Sequence, residues 1–169
     1  MRNFVLGVAA ALVVLPAGML GYFALGFSQL RSDVKPSALE SRIMQSAVRA
    51  AVRRSASGIP LGAPADTDEL VAGGKLYVAG CDGCHGRMGK PFREDLHAFA
   101  PTPQLPQVGT QYSEPEIYWI VKHGVRMSSM SAYGPFYSEK QLWALAGFVH
   151  RIKNLPPGVL EAIQTKEKK

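Results

Sequence analysis

The stretch "CDGCH" at residues 81–85 contains the chain's two cysteines, Cys81 and Cys84, with His85 directly after the second. Two thiols at this spacing followed by an imidazole permit four chemistries: a zinc site, a redox dithiol, a disulfide, or covalent attachment of a haem. Zinc needs four ligands, usually supplied by a second Cys or His pair at defined spacing. No second cysteine pair exists, and His97, His123 and His150 stand singly. A thioredoxin-like dithiol belongs to a βαβ setting, and no strand pattern precedes the motif. A disulfide would close a small loop and leave His85 without a role. Haem attachment gives all three residues work, because the thiols add to the two vinyl groups on one porphyrin edge and the histidine is held beneath the iron.

The surrounding sequence must hold such a group with helices. Asp66 and Glu69 form a capping pair ahead of "ELVAGGKLYVAG", a short helix expected to end at Gly80, immediately before the cysteines. The stretch from Pro91 to Tyr112 is proline-rich and without period, so it is expected to be an irregular loop with one helical turn. Ser113 and Glu116 cap "PEIYWIVKHG", where Ile117, Ile120 and Val121 share a face. After the loop "VRMSSMSAYGPFY", Ser138 and Gln141 cap "EKQLWALAGFVHRIKNL", in which Leu142, Leu145, Ala146, Val149 and Ile152 repeat as a buried stripe. Pro156 and Pro157 end that helix, and "QTKEKK" reads as a disordered charged tail. Three short helices and long loops make a small core, one that calls for a rigid group to pack around.

Here the chain resembles the single-haem class I cytochromes c, from about Asp66 to Leu155. "GGKLYVAGCDGCHG" resembles the family's first helix and attachment site, and Gly73 stands four residues before Tyr77. The resemblance implies that this small residue lets the first helix cross the last closely, against an aromatic matched to Phe148. It also implies a methionine as second iron ligand, from the loop before the last helix. Met130 matches by position, with Met127 as the alternative, although Ser129-Met130-Ser131 stands where membrane-associated members often read Thr-Gly-Met-Pro. Pro103, or else Pro101, is expected to offer its carbonyl to the second nitrogen of His85. Cys81, Cys84, His85, Met130, Pro103, Tyr77 and Trp119 are thus the expected haem-contacting residues, with His85 and Met130 on the iron. Trp143, Tyr133 and Phe136 are expected to pack around the porphyrin. His123, which could ligate iron from the other side, reads instead as a helix-end residue next to Gly124 that complements exposed carbonyls, and His97 and His150 read as surface residues.

Outside this domain the sequence changes character. From Phe4 to Phe27 no side chain is charged, a length that crosses a hydrocarbon core of roughly 30 Å. It reads as a transmembrane helix containing Pro16; a signal peptide, the alternative, usually has a shorter apolar region. Ser37 and Glu40 then form a capping pair at the start of "KPSALESRIMQSAVRAAVRRSASG", with Leu39, Ile43, Ala47 and Ala50 on one face and Arg42, Arg49 and Arg53 on another. This helix is expected either on the membrane surface or as a solvated spacer. The Ser/Gly/Pro stretch after it reads as a linker that lets the haem domain swing.

The net charge of +6 has a location. Between Ala65 and Leu160 acids and bases balance, and the excess follows the apolar span: Arg31, Lys35, Arg42, Arg49, Arg53 and Arg54 face only Asp33 and Glu40. A basic segment beside a bilayer suggests anionic headgroups or an acidic partner, and not nucleic acid.

The expected architecture is therefore all-α: a transmembrane anchor at 1–30, a basic amphipathic helix and linker at 31–64, a loop-rich haem domain at 65–160 around one covalent haem c, and a charged tail at 161–169. Iron closed by His and Met leaves no position for substrate, which implies one-electron transfer between redox protein partners and not an enzyme by itself. Covalent attachment implies, through the resemblance, a single-pass protein with its haem domain on the periplasmic or outer side. The flanking charges argue the other way. The alternatives are a fixed haem subunit of a larger membrane oxidoreductase, and a sensor or peroxidase-like site with a labile distal ligand.

Overall fold

The computed structural model describes residues 1–28, 34, 36–90 and 102–164. Among the described residues the regular elements are all helices: α1 (Arg2–Ala24), α2 (Ala38–Ala56), α3 (Thr67–Gly80), α4 (Asp82–His85), α5 (Leu105–Val108), α6 (Glu114–His123), α7 (Glu139–Arg151) and α8 (Val159–Gln164). The chain divides into two units, Met1–Val34 and Lys35–Lys169.

The first unit is essentially α1. It runs unbroken through Pro16 and buries no residue. By length and composition it is long and apolar enough to cross a membrane.

The second unit is built on the crossing of α3 with α7. A Cβ placed on Gly73 would lie 2.1 Å from the Ala144 carbonyl oxygen and 2.9 Å from the Phe148 Cβ. Only glycine permits that approach, because any larger residue would press into backbone that cannot step aside. One turn on, the rings of Tyr77 and Phe148 meet with centroids 5.5 Å apart, both side chains fully buried. The stripe on α7 is buried from Leu142 through Val149 apart from Trp143, and α6 lays Ile117, Tyr118 and Val121 against it.

The helices α2, α3, α6 and α7 start at capping boxes, where side chains satisfy backbone donors. Asp66 accepts from the Glu69 amide at 2.8 Å while Glu69 accepts from the Asp66 amide at 3.3 Å. Ser138 and Gln141 exchange the equivalent pair at 3.3 and 2.8 Å, and the Ser113 amide donates to Glu116 at 2.7 Å. These bonds serve donors that the helix itself leaves without partners.

The structure corrects two expectations outside the crossing. The stretch from 161 is not all tail, because α8 extends to Gln164 and buries Val159 and Ile163 against α3. Those two residues stand four apart, one helical turn, and Ile163 fills the space over Gly74. Residues 165–169 lie outside the described set.

The second correction concerns α2. It belongs to the same compact unit as the haem domain and packs on α6, burying Val52 and Ala56. The face read as apolar, Leu39 to Ala50, is exposed, with Leu39 at 70% and Ile43 at 55%. Val48, Val52 and Ala56 form a different row at four-residue spacing, and this row finds the partner. Ile59 in the following stretch also packs on the core, so residues 55–64 are not a free hinge between α2 and the domain.

Candidate functional site

Cys81 caps the C-terminus of α3, its amide donating to the Tyr77 carbonyl at 2.8 Å. The chain then makes the single turn α4, in which the His85 amide donates back to the Cys81 carbonyl at 2.8 Å. Four residues make about one turn of helix, so His85 comes round beside Cys81. Gly86, at φ +89°, ends the turn in a left-handed conformation, and a Cβ there would meet the Gln104 side-chain oxygen at 2.8 Å.

The turn is held from outside by Tyr77, Gln104 and Pro103. The Tyr77 hydroxyl lies 3.0 Å from the His85 carbonyl and 2.7 Å from that of Gly86, and Gln104, itself buried, donates its Nε2 hydrogen to the Cys84 carbonyl at 2.9 Å. His85 Nδ1 sits 3.1 Å from the Pro103 carbonyl oxygen. A carbonyl only accepts, so Nδ1 carries the proton and Nε2 keeps a free lone pair. Burial lowers the His85 pKa, with the Pro103 bond opposing it; the ring is thereby held neutral, the form that ligates metal. Cys81 is buried and its thiol is pushed up to about 11, mainly by burial, with Asp82 and Cys84 adding to it. Cys84 is exposed.

These groups face one cavity of about 450 Å³. Its walls include Cys81, Cys84 and His85 on one hand and Met130 on the other, with Leu105, Ile117, Ile120, Leu145 and Val149 as apolar lining. The Met130 loop is closed by local bonds: the Val125 amide donates to the Met130 carbonyl at 3.0 Å, and the Met130 amide donates to Ser128 Oγ at 3.1 Å. Met127 has φ +59°, is 81% exposed and does not line the cavity.

Two thiols, one imidazole nitrogen with its lone pair free and one thioether converging on an apolar cavity are the donor set that a covalently bound, doubly ligated haem requires. The residues present fit that group.

The structure brings Cys81, Cys84, His85, Pro103, Tyr77 and Met130 to the cavity. It does not bring Trp119. That indole packs on His123, ring centroids 5.1 Å apart, because it lies two residues after Ile117 and so on the opposite side of α6. Trp143 stacks on Tyr118 at 4.4 Å and Phe136 is 77% exposed, so neither lines the cavity, whereas Tyr133 does. His123 and His150 are exposed, and His150 Nδ1 lies 3.2 Å from the Tyr112 carbonyl. Pro101 and His97 lie outside the described residues. Sequence reasoning missed Gln104, whose amide contact to Cys84 spans a loop. It also missed Arg49 and Arg53, which reach the cavity wall from α2.

The family model described as cytochrome C oxidase, cbb3-type, subunit III matches residues 68–149, which run from α3 into α7. No curated protein and no solved structure matches the chain. Residues 68–149, which carry the attachment motif, are a class I c-type cytochrome domain, the kind that carries one covalently bound haem c, and an apolar helix precedes them in the sequence.

Proposed function

We propose that this chain is a membrane-tethered one-electron carrier whose haem iron is closed by His85 and Met130. The observation that carries this reading is the meeting of His85, oriented by Pro103, and Met130 in one apolar cavity beside both cysteines. A haem c bound here supplies an iron that gains or loses a single electron. Cys81 and Cys84 hold its vinyl edge. His85 presents the Nε2 lone pair, and the Nδ1 bond to Pro103 fixes the ring's orientation and raises its basicity. Met130 would supply a thioether as the second ligand, which would leave the iron no position for a substrate and would favour a high potential. The apolar wall of Leu105, Ile117, Leu145 and Val149 keeps water from the group and limits the rearrangement that a change of charge would otherwise cause.

The tether is α1, which lies along the sequence before a basic segment. Covalent attachment of haem supports an outer or periplasmic position for the domain. Confinement to a membrane surface raises the carrier's effective concentration near membrane-bound redox partners without tight binding. The second reading, a fixed haem subunit of a larger oxidoreductase, is favoured by the description of the matched family. Sizing of the detergent-extracted protein separates the two, since a shuttle elutes alone.

Met130→Ala tests the ligand assignment. The variant is expected to lose the spectrum of a closed low-spin iron and to bind carbon monoxide when reduced, which the parent does not. A parent protein that binds carbon monoxide at neutral pH, or a variant with unchanged spectrum and potential, would refute it.

A further inference from the structure

The cavity has one wall from outside the matched cytochrome segment. Gln45, Val48, Arg49 and Arg53 line it from α2, whose principal helical neighbour is α6. Among the described lining residues Arg49 and Arg53 are the only Lys or Arg side chains, and none of those residues is Asp or Glu. Arg53 is within 3.9 Å of Glu116, whereas Arg49 has no ion-pair partner among the described residues. Two guanidinium groups with no carboxylate among the described lining residues call for an anion. Haem carries two carboxylates, on the edge remote from the vinyl groups that cysteines capture. In this cavity Cys81 and Cys84 come from the end of α3 and from α4, and the arginines come from another element altogether.

Resting on the haem reading of the cavity, we propose that α2 is part of the cofactor site: Arg49, with Arg53, binds the haem carboxylates. Guanidinium matches a carboxylate with two parallel donors, and the pairing strengthens as water is excluded. The docked row Val48, Val52 and Ala56 holds the arginines at this position, which accounts for a basic helix packed on a domain whose own charges balance. Electrostatically, each arginine offsets a carboxylate charge that would otherwise favour the ferric form, so the clamp raises the reduction potential.

The test uses full-length holoprotein in detergent, comparing Arg49→Gln, Arg53→Gln and Arg54→Gln. Arg54 lies on the same helix, carries the same charge and does not line the cavity. Arg49→Gln is expected to lower the midpoint potential and move the carboxylate bands of the reduced-minus-oxidised infrared spectrum. Arg53→Gln should act in the same direction and less, because Glu116 already engages it. Arg54→Gln should leave both readouts at the parent values, and Arg49→Lys should restore part of the potential. The visible spectrum reports that each variant keeps its haem and axial ligands. Equal shifts for Arg49→Gln and Arg54→Gln, or unmoved carboxylate bands in the Arg49→Gln/Arg53→Gln double variant, would overturn the clamp while leaving the haem reading intact. A parent protein without covalent haem, seen by intact mass, would overturn both.

Discussion

Tyr77 is the residue on which the attachment turn rests. It is fully buried, and its hydroxyl serves the carbonyls of both His85 and Gly86. Burial raises its pKa, so it remains a donor throughout the working range. Tyr77→Phe would leave those buried carbonyls short of a donor, at a cost of about 1–3 kcal/mol; a lower denaturant midpoint with an unchanged visible spectrum is the expected result. Gly73 is constrained differently, by the Ala144 carbonyl against α3. Gly73→Ala should destabilise by about 1–3 kcal/mol or more, read from thermal unfolding of the holoprotein. At this scale much of the site was legible: the Cys-x-x-Cys-His spacing carries its own chemistry, and Gly73 and Tyr77 were visible through the family likeness. Trp119 was not, because an aromatic residue in a helix facing a cofactor looks the same in sequence as one facing away.

Among the elements, helix starts were the most legible feature, since a capping pair is written within four residues and needs no distant partner. What a helix packs against was less so. The α2 sequence offers two apolar rows, and the one that docks, Val48 to Ala56, is decided by α6, far along the chain. Val52→Asp is therefore expected to release α2 from α6, detected as faster amide exchange in α2 with the haem spectrum kept. Between α6 and α7, Lys122 bonds Glu139 at 2.6 Å and Tyr118 at 2.8 Å, and Tyr118 also donates to Glu139. Lys122 holds the Glu139 carboxyl below its usual value, while the bond to Glu139 pushes Lys122 up to about 12. A depressed carboxylate stabilises fully above its unfolded value of 4.5 and loses that as pH falls through its folded value. A raised lysine stabilises fully below 10.5 and loses that as pH rises through about 12. The stability difference between parent and Glu139→Gln should thus be flat across neutral pH and shrink on acidification below 4.5. A difference that grows there would refute the pairing.

For the whole molecule the sequence shows charge in a pattern: an uncharged span, a basic segment, a balanced domain. Composition alone makes the first part legible as a helix long and apolar enough to cross a membrane, while the docking of the second part on the third is a tertiary contact and is not. The separate unit Met1–Val34 leads to a further expectation. A chain beginning at Val34 with a secretion signal in place of α1 should mature to a water-soluble protein with the parent's visible spectrum, whereas a changed spectrum would mean that α1 supports the site. All of this depends on haem joined through Cys81 and Cys84, and intact mass after acid-acetone extraction measures that directly. The matured protein should weigh the polypeptide plus one haem, and the Cys81→Ala/Cys84→Ala variant the polypeptide alone. Bare polypeptide mass for the matured parent would contradict the account.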